Sequence, residues 1–141
     1  MKILLAVDGS AYTKKMLAYL CVHDELMGGG RNQCTLLTVM SALPPRARAA
    51  LSKEMVDSYY QEESAKVLDP ALKFLEQHQI TAATRLEIGP PGELIARVAE
   101  EEKYDLIVMG THGHGSLGRL VMGSVSTQVL ANCTVPVLLI R

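Results

Sequence analysis

Apolar residues fall in two rhythms along this chain. Ile3-Leu4-Leu5-Ala6-Val7, Asp105 to Met109 and Val135 to Ile140 are near-continuous apolar runs, the pattern of parallel strands covered on both faces. Thr35 to Val39, β-branched and apolar, reads the same way. Ala82 to Ile88 alternates, with Ala82, Thr84, Leu86 and Ile88 on one side and Arg85 and Glu87 on the other, which predicts a strand with one wetter face at a sheet edge. Between these runs the spacing lengthens to three and four. Lys14 to Met27 places Met16, Leu17, Leu20, Cys21 and Leu26 on a helix capped by Ser10 and stopped by Gly28-Gly29-Gly30. Leu43-Pro44-Pro45 marks a loop. A long helical pattern then sets Leu51, Met55, Tyr59, Val67, Leu68, Ala71, Leu72 and Leu75 near one face. Pro70 kinks or restarts it, with Asp69 placed to cap the second part. After the turn Gly89-Pro90-Pro91-Gly92 comes a short amphipathic helix, Glu93 to Lys103, and Val125 to Ala131 carries helix signals before the last strand.

Strands and helices that alternate in this way predict an α/β fold: a doubly wound, five-stranded parallel sheet with helices on both faces, in one domain spanning residues 1–141. In the common order 3-2-1-4-5 the first and fourth strands are neighbours at the topological switch point, where ligands bind outside the carboxyl ends of the strands. Asp8 ends the first strand and Gly110 the fourth. A glycine-dense loop follows Gly110, and Gly123-Ser124 opens the next helix, whose free N–H groups and positive dipole end suit phosphate. From Leu106 to the C-terminus there is no Asp or Glu, while His112, His114, Arg119 and Arg141 are present. An acid opposite such a loop suits a nucleotide, the carboxylate on ribose hydroxyls and the amides on phosphates. The plainer alternatives are that Asp8 caps the first helix, that Ser124 is only an N-cap, and that the glycines only turn the chain.

Two familiar motifs fail here. Gly113-His114-Gly115-Ser116-Leu117-Gly118 matches G-x-G-x-x-G, but it stands near the chain end with no acid downstream for a ribose. A P-loop needs a lysine reaching the outer phosphates, and this loop has none. His112 and His114 are two apart with no third ligand of matching spacing, so no metal site is assigned.

The net charge of −1 over 141 residues gives no long-range attraction for nucleic acid or an anionic membrane. Cys21, Cys34 and Cys133 are far apart, as buried thiols of a cytoplasmic protein are. No run reaches transmembrane length, and Asp8 interrupts the first apolar run too early for a signal peptide. The uncovered C-terminal edge strand, Val135 to Ile140, predicts a homodimer through its pairing with a second copy.

Taken together, these residues resemble the universal stress protein family. Its signature G-x2-G-x9-G-[ST] is met by Gly110, Gly113, Gly123 and Ser124. The likeness extends over the opening strand ending Val7-Asp8-Gly9-Ser10, the Gly89-Pro90-Pro91 turn, Gly123-Ser124-Val125-Ser126 and Val135-Pro136-Val137-Leu138. The resemblance implies an ATP-binding, regulatory stress-response module whose nucleotide occupancy changes what it binds, with ADP and AMP as alternative ligands and Mg²⁺ as a companion ion. Carried over by position, it implies that Asp8 holds the ribose and that the Val39 backbone meets adenine, with Ala6, Val7 and Met109 lining that pocket. Gly110, Gly113, Gly123, Ser124, Val125 and Ser126 then contact ribose and phosphates, and His112 stands in the same loop. His114 occupies a position where arginine is frequent in the family, which weakens a charge clamp there. The regulated partner is unspecified. Two other readings stay open: a slow ATPase or phosphotransferase, for which the loop supplies no second carboxylate, and a dimeric scaffold that binds no nucleotide. A receiver domain is excluded by the lack of an acid after the third strand and a lysine after the fifth.

Overall fold

The computed structural model describes residues 1–27, 30–114 and 121–141. Gly28 and Gly29, and the stretch of the glycine loop that holds Gly115, Gly118 and Arg119, lie outside the described residues. Five strands, β1 (Lys2–Ala6), β2 (Gln33–Met40), β3 (Ala82–Ile88), β4 (Leu106–Gly110) and β5 (Val137–Ile140), form one sheet in the order β3-β2-β1-β4-β5. Every pairing is parallel. The helices between them are α1 (Ala11–Val22), α2 (Pro45–Ala50), α3 (Lys53–Gln77), α4 (Pro91–Glu101) and α5 (Ser124–Asn132).

The continuous apolar runs are explained by two cores. Ile3 and Leu5 of β1, Leu36 of β2 and Val108 of β4 pack with Met16, Leu17 and Leu20 of α1 and Leu68, Ala71 and Leu75 of α3. The alternate positions Leu4, Leu37, Ile107 and Met109 pack on the other face with Ile95, Val98 and Ala99 of α4 and Val129 of α5. Each fully buried aliphatic side chain contributes about 1.5–3 kcal/mol, whereas an exposed pair such as Lys66–Glu63 is screened by solvent and contributes little. The layers therefore hold the fold, not the surface charges. β3 is an edge, and its wetter face carries Arg85, whose guanidinium binds Glu87 at 2.5 Å and also Glu102 at the C-cap of α4. Pro136 stands just before β5, where its missing N–H costs the ladder nothing, and its carbonyl accepts from the Ile107 N–H at 2.9 Å.

Three local expectations change. The first helix ends at Val22, and Asp24–Met27 is a separate 3₁₀ turn. Asp24 and Glu25 disfavour helix continuation next to its negative end, and Leu26 is 50% exposed. Helix α3 runs unbroken through Pro70, so Asp69 caps nothing. Its buried residues Ser64, Leu68, Ala71 and Leu75 lie on both sides of the exposed proline and seat both halves on the sheet. Met55 and Tyr59 are 57% and 41% exposed, not inward. This end of α3 meets a loop, not a strand: the Leu43 N–H donates to the Tyr60 hydroxyl at 2.8 Å, beyond the end of β2. Among the described residues no helix is long and apolar enough to cross a membrane.

Candidate functional site

Because β1 lies between β2 and β4, the loops leaving β1 and β4 meet over the carboxyl ends of the strands. Asp8 is the first polar residue past β1, and its surroundings fix it. Its N–H donates to Thr13 Oγ1 at 3.0 Å, and the Thr13 hydroxyl and the Ser10 N–H both donate to Asp8 Oδ1 at 2.9 Å. Burial pushes the carboxyl up, but the hydrogen-bond donors of Ser10 and Thr13, joined by the nearby His114 ring, outweigh it and hold the group below its ordinary value of 3.8. Asp8 is thus an ionised acceptor at neutral pH.

The other oxygen, Oδ2, faces the loop after β4. A Cβ on Gly113 would stand 2.5 Å from it, so only glycine leaves the carboxylate its place. The same loop is tied to α5 by backbone and hydroxyl bonds. The Gly123 N–H donates to the Thr111 carbonyl at 2.7 Å, and the buried Ser126 hydroxyl lies 2.8 Å from that carbonyl and 3.1 Å from the Gly123 carbonyl. Gly123, not Ser124, is the N-cap of α5, and Ser124 is its first helical residue. The amides of Ser124, Val125 and Ser126 belong to the first turn, where no carbonyl of the helix can reach them, and no acid stands in that turn. His112 packs against the Tyr12 ring at 5.1 Å between centroids and shares a 2.9 Å bond between Nδ1 and Thr111 Oγ1.

These groups surround a cavity of about 740 Å³, a size within the roughly 300–1,000 Å³ of small-molecule sites. All twelve candidate residues line it: Ala6, Val7 and Asp8 from β1 and its loop, Val39 from β2, Met109, Gly110, His112 and Gly113 from β4 and its loop, and Gly123, Ser124, Val125 and Ser126 from α5. The sequence reading missed the rest of the wall. Leu37, Thr38, Met40 and Ser41 continue the β2 end, and Thr13 could have been found as a residue one turn from Asp8. Glu63, Ser64 and Val67 of α3 and Pro91 and Ile95 of α4 carried no local signal, since only the packing of the helices brings them there. A smaller cavity of about 520 Å³ between α3 and β3 meets the first at Ser64 and contains none of the twelve. It lacks a glycine loop and a helix start. Among the described residues no group of three or more His, Cys, Asp or Glu side chains could hold a metal ion. Burial pushes the Cys21, Cys34 and Cys133 thiols up, away from reactivity.

The model of the universal stress protein family matches residues 1–141. The chain belongs to the universal stress protein family. This universal stress protein is 34% identical over 144 aligned positions to a universal stress protein from Thermus aquaticus, covering 99% of this chain and 97% of that one. Among solved structures, hypothetical protein MJ0577 superposes with a TM-score of 0.82 at 27% identity, covering 99% of this chain and 94% of that one. The universal stress protein UspA from Lactobacillus plantarum gives 0.80 at 22% identity, over 100% and 97% of the two chains. More distant members of the fold were solved in complex with cAMP, with AMP bound (from Arabidopsis thaliana) and in complex with dAMP (from Archaeoglobus fulgidus).

Proposed function

We propose that this universal stress protein binds an adenine nucleotide, ATP first, with ADP and AMP as alternatives, in the cavity between β1, β2, β4 and α5. In this reading it acts as a cytoplasmic regulatory module whose occupancy changes its interactions with a protein partner. One observation carries the reading: the Asp8 carboxylate and the first-turn residues of α5, whose amides no helix carbonyl can reach, line one cavity at the switch point. The base lies against Leu37, Val39, Met40 and Met109. The ribose hydroxyls donate to Asp8, and the phosphates take the amides of Gly113 and of Ser124 to Ser126. The glycine at 113 leaves room for a ligand's approach as well as for Asp8, and the adenine nucleotides held by distant members of the fold support the ligand class. Mg²⁺, where it takes part, enters with the phosphates.

A slow phosphotransfer activity is the second reading, and Glu63 favours it. The glycine loop holds no second carboxylate, but α3 brings this one to the cavity wall, where Lys66 binds it at 2.8 Å. A general base beside bound ATP could draw on it.

The test is to denature freshly purified protein, identify the released nucleotide by mass, and then titrate ATP, ADP and AMP against the melting temperature. Ligand at one hundred times its Kd adds about 2.7 kcal/mol of stability, a shift of several degrees for a chain of this size. Released ATP supports the binding reading, and released ADP or AMP favours turnover by wild type that Glu63→Gln abolishes. No released nucleotide together with no shift at millimolar ATP, or unchanged affinity in an Asp8→Ala/Gly123→Val double variant, overturns the proposal.

A further inference from the structure

We infer that His114 is a positioning residue for the ribose side of the cavity: its ring, bonded across the switch point to the backbone of Asp8, couples the acid to the glycine loop. The inference rests on the nucleotide reading above. His114 Nε2 lies 2.8 Å from the Asp8 carbonyl oxygen. A carbonyl only accepts, so Nε2 carries the hydrogen and donates it, whether the ring is neutral or charged. Nε2 is therefore committed to the protein backbone.

The surroundings show how firmly this contact seats the turn. Gly9, the next residue after Asp8, has φ +77, and a Cβ there would stand 3.3 Å from Val67 Cγ2 and 3.9 Å from His114 Nε2. Val67 of α3 and the imidazole both border the Asp8-Gly9 turn. One residue earlier in the β4 loop, Gly113 closes on Asp8 Oδ2. Consecutive residues of the phosphate-side loop therefore meet both ends of the acid: Gly113 lies against its carboxylate and His114 donates to its carbonyl. Thr13 and Ser10 hold Oδ1 from the α1 side, so the acid has few other ways to settle. The acid is thereby set for the ribose whether or not a phosphate is bound.

The predicted signature separates this role from a direct phosphate contact. His114→Ala should weaken adenosine, which has no phosphate, and ATP alike, each about three- to tenfold, the range for loss of one partly exposed hydrogen bond. His114→Gln, whose amide nitrogen can take the place of Nε2, should restore both. Calorimetric titration of wild type and the two variants with adenosine, AMP and ATP reads this, with the melting temperature of each ligand-free protein measured alongside. An unchanged adenosine affinity with weakened ATP would assign His114 to phosphate and overturn the inference. A loss that His114→Gln fails to restore, accompanied by a lowered ligand-free melting temperature, would overturn it in favour of a role in folding alone. Wild type that binds neither ligand sinks the nucleotide reading itself, a result distinct from either.

Discussion

A methyl group on Gly113 would stand 2.5 Å from Asp8 Oδ2, closer than real Cβ atoms come to an oxygen, so either the carboxylate or the loop must give way. The Gly113 backbone is not in the left-handed region, and the penalty of Gly113→Ala is therefore steric and local. The expected outcome is a loss of nucleotide affinity of about tenfold or more, worth ~1.4 kcal/mol, with a small change in ligand-free melting temperature. Isothermal titration and thermal denaturation on the same sample separate the two effects, and unchanged affinity would show that the acid does not touch the ligand. Asp8 also predicts a pH dependence. Its folded value is lowered, so its stabilising contribution is complete above the ordinary 3.8 and is lost as pH falls through that value to the folded one. The melting-temperature gap between wild type and Asp8→Asn should be constant from pH 7 to 5 and shrink below pH 4. A gap that widened on acidification would contradict the hydrogen-bond account. Asp8 and Gly113 were both legible in the sequence because each ends or follows a short apolar strand. The close approach of one to the other was not legible, because 105 positions separate them and only the parallel pairing of β1 with β4 joins them.

At the scale of elements, the apolar runs marked the strands to within about two residues because both faces of the sheet are covered, and no other rhythm fits that burial. The helices were harder to bound. The face of α3 could not be assigned from spacing alone, since Met55 and Tyr59 fit the stripe yet stay exposed beside a loop. For the same reason Glu63, Ser64 and Val67 were invisible as cavity wall. Two helix predictions follow from packing. Gly92 lies in the first turn of α4, where a Cβ would collide with Gln128 Cβ and come within 3.2 Å of the Val125 carbonyl oxygen. Gly92→Ala should therefore destabilise by about 1–3 kcal/mol in denaturant unfolding, as overpacking does. Adding Gln128→Ala should recover little of it, because the nearest atom is a Cβ and the Val125 carbonyl is backbone. Pro70 is exposed inside an unbroken 25-residue helix, with no N–H to give and a ring set against the carbonyl four residues back. Pro70→Ala should raise stability by about 1–3 kcal/mol, the scale of the interior proline penalty. No gain would mean that the helix is already relaxed around the ring.

The whole molecule presents two sheet edges of opposite character. On β3, Arg85 is locked between Glu87 and Glu102, and paired charges on an edge strand discourage a second sheet from adding to it. On β5, Val137 to Ile140 carries no charge and, among the described residues, no strand beyond it in the sheet. We propose that the expected homodimer through the Val135 to Ile140 run pairs along β5, residues 137–140. The ladder defines which groups are available. The carbonyls of Pro136 and Ile140 accept from Ile107 and Thr111 of the β4 side, so by alternation the N–H and C=O groups of Val137 and Leu139 point away from β4. Val137→Pro deletes one of these outward donors while sparing the bonds to β4, and proline is tolerated at the first residue of an edge strand. In sedimentation velocity the wild type should run at twice the 15.3 kDa of one chain, and the variant should shift toward one chain at low micromolar concentration. Nucleotide affinity should persist in the variant, because no residue of β5 lines the cavity. A wild type that sediments as a single chain would refute pairing through this edge. A dimer indifferent to Val137→Pro would move the interface to another face and leave the cavity argument untouched.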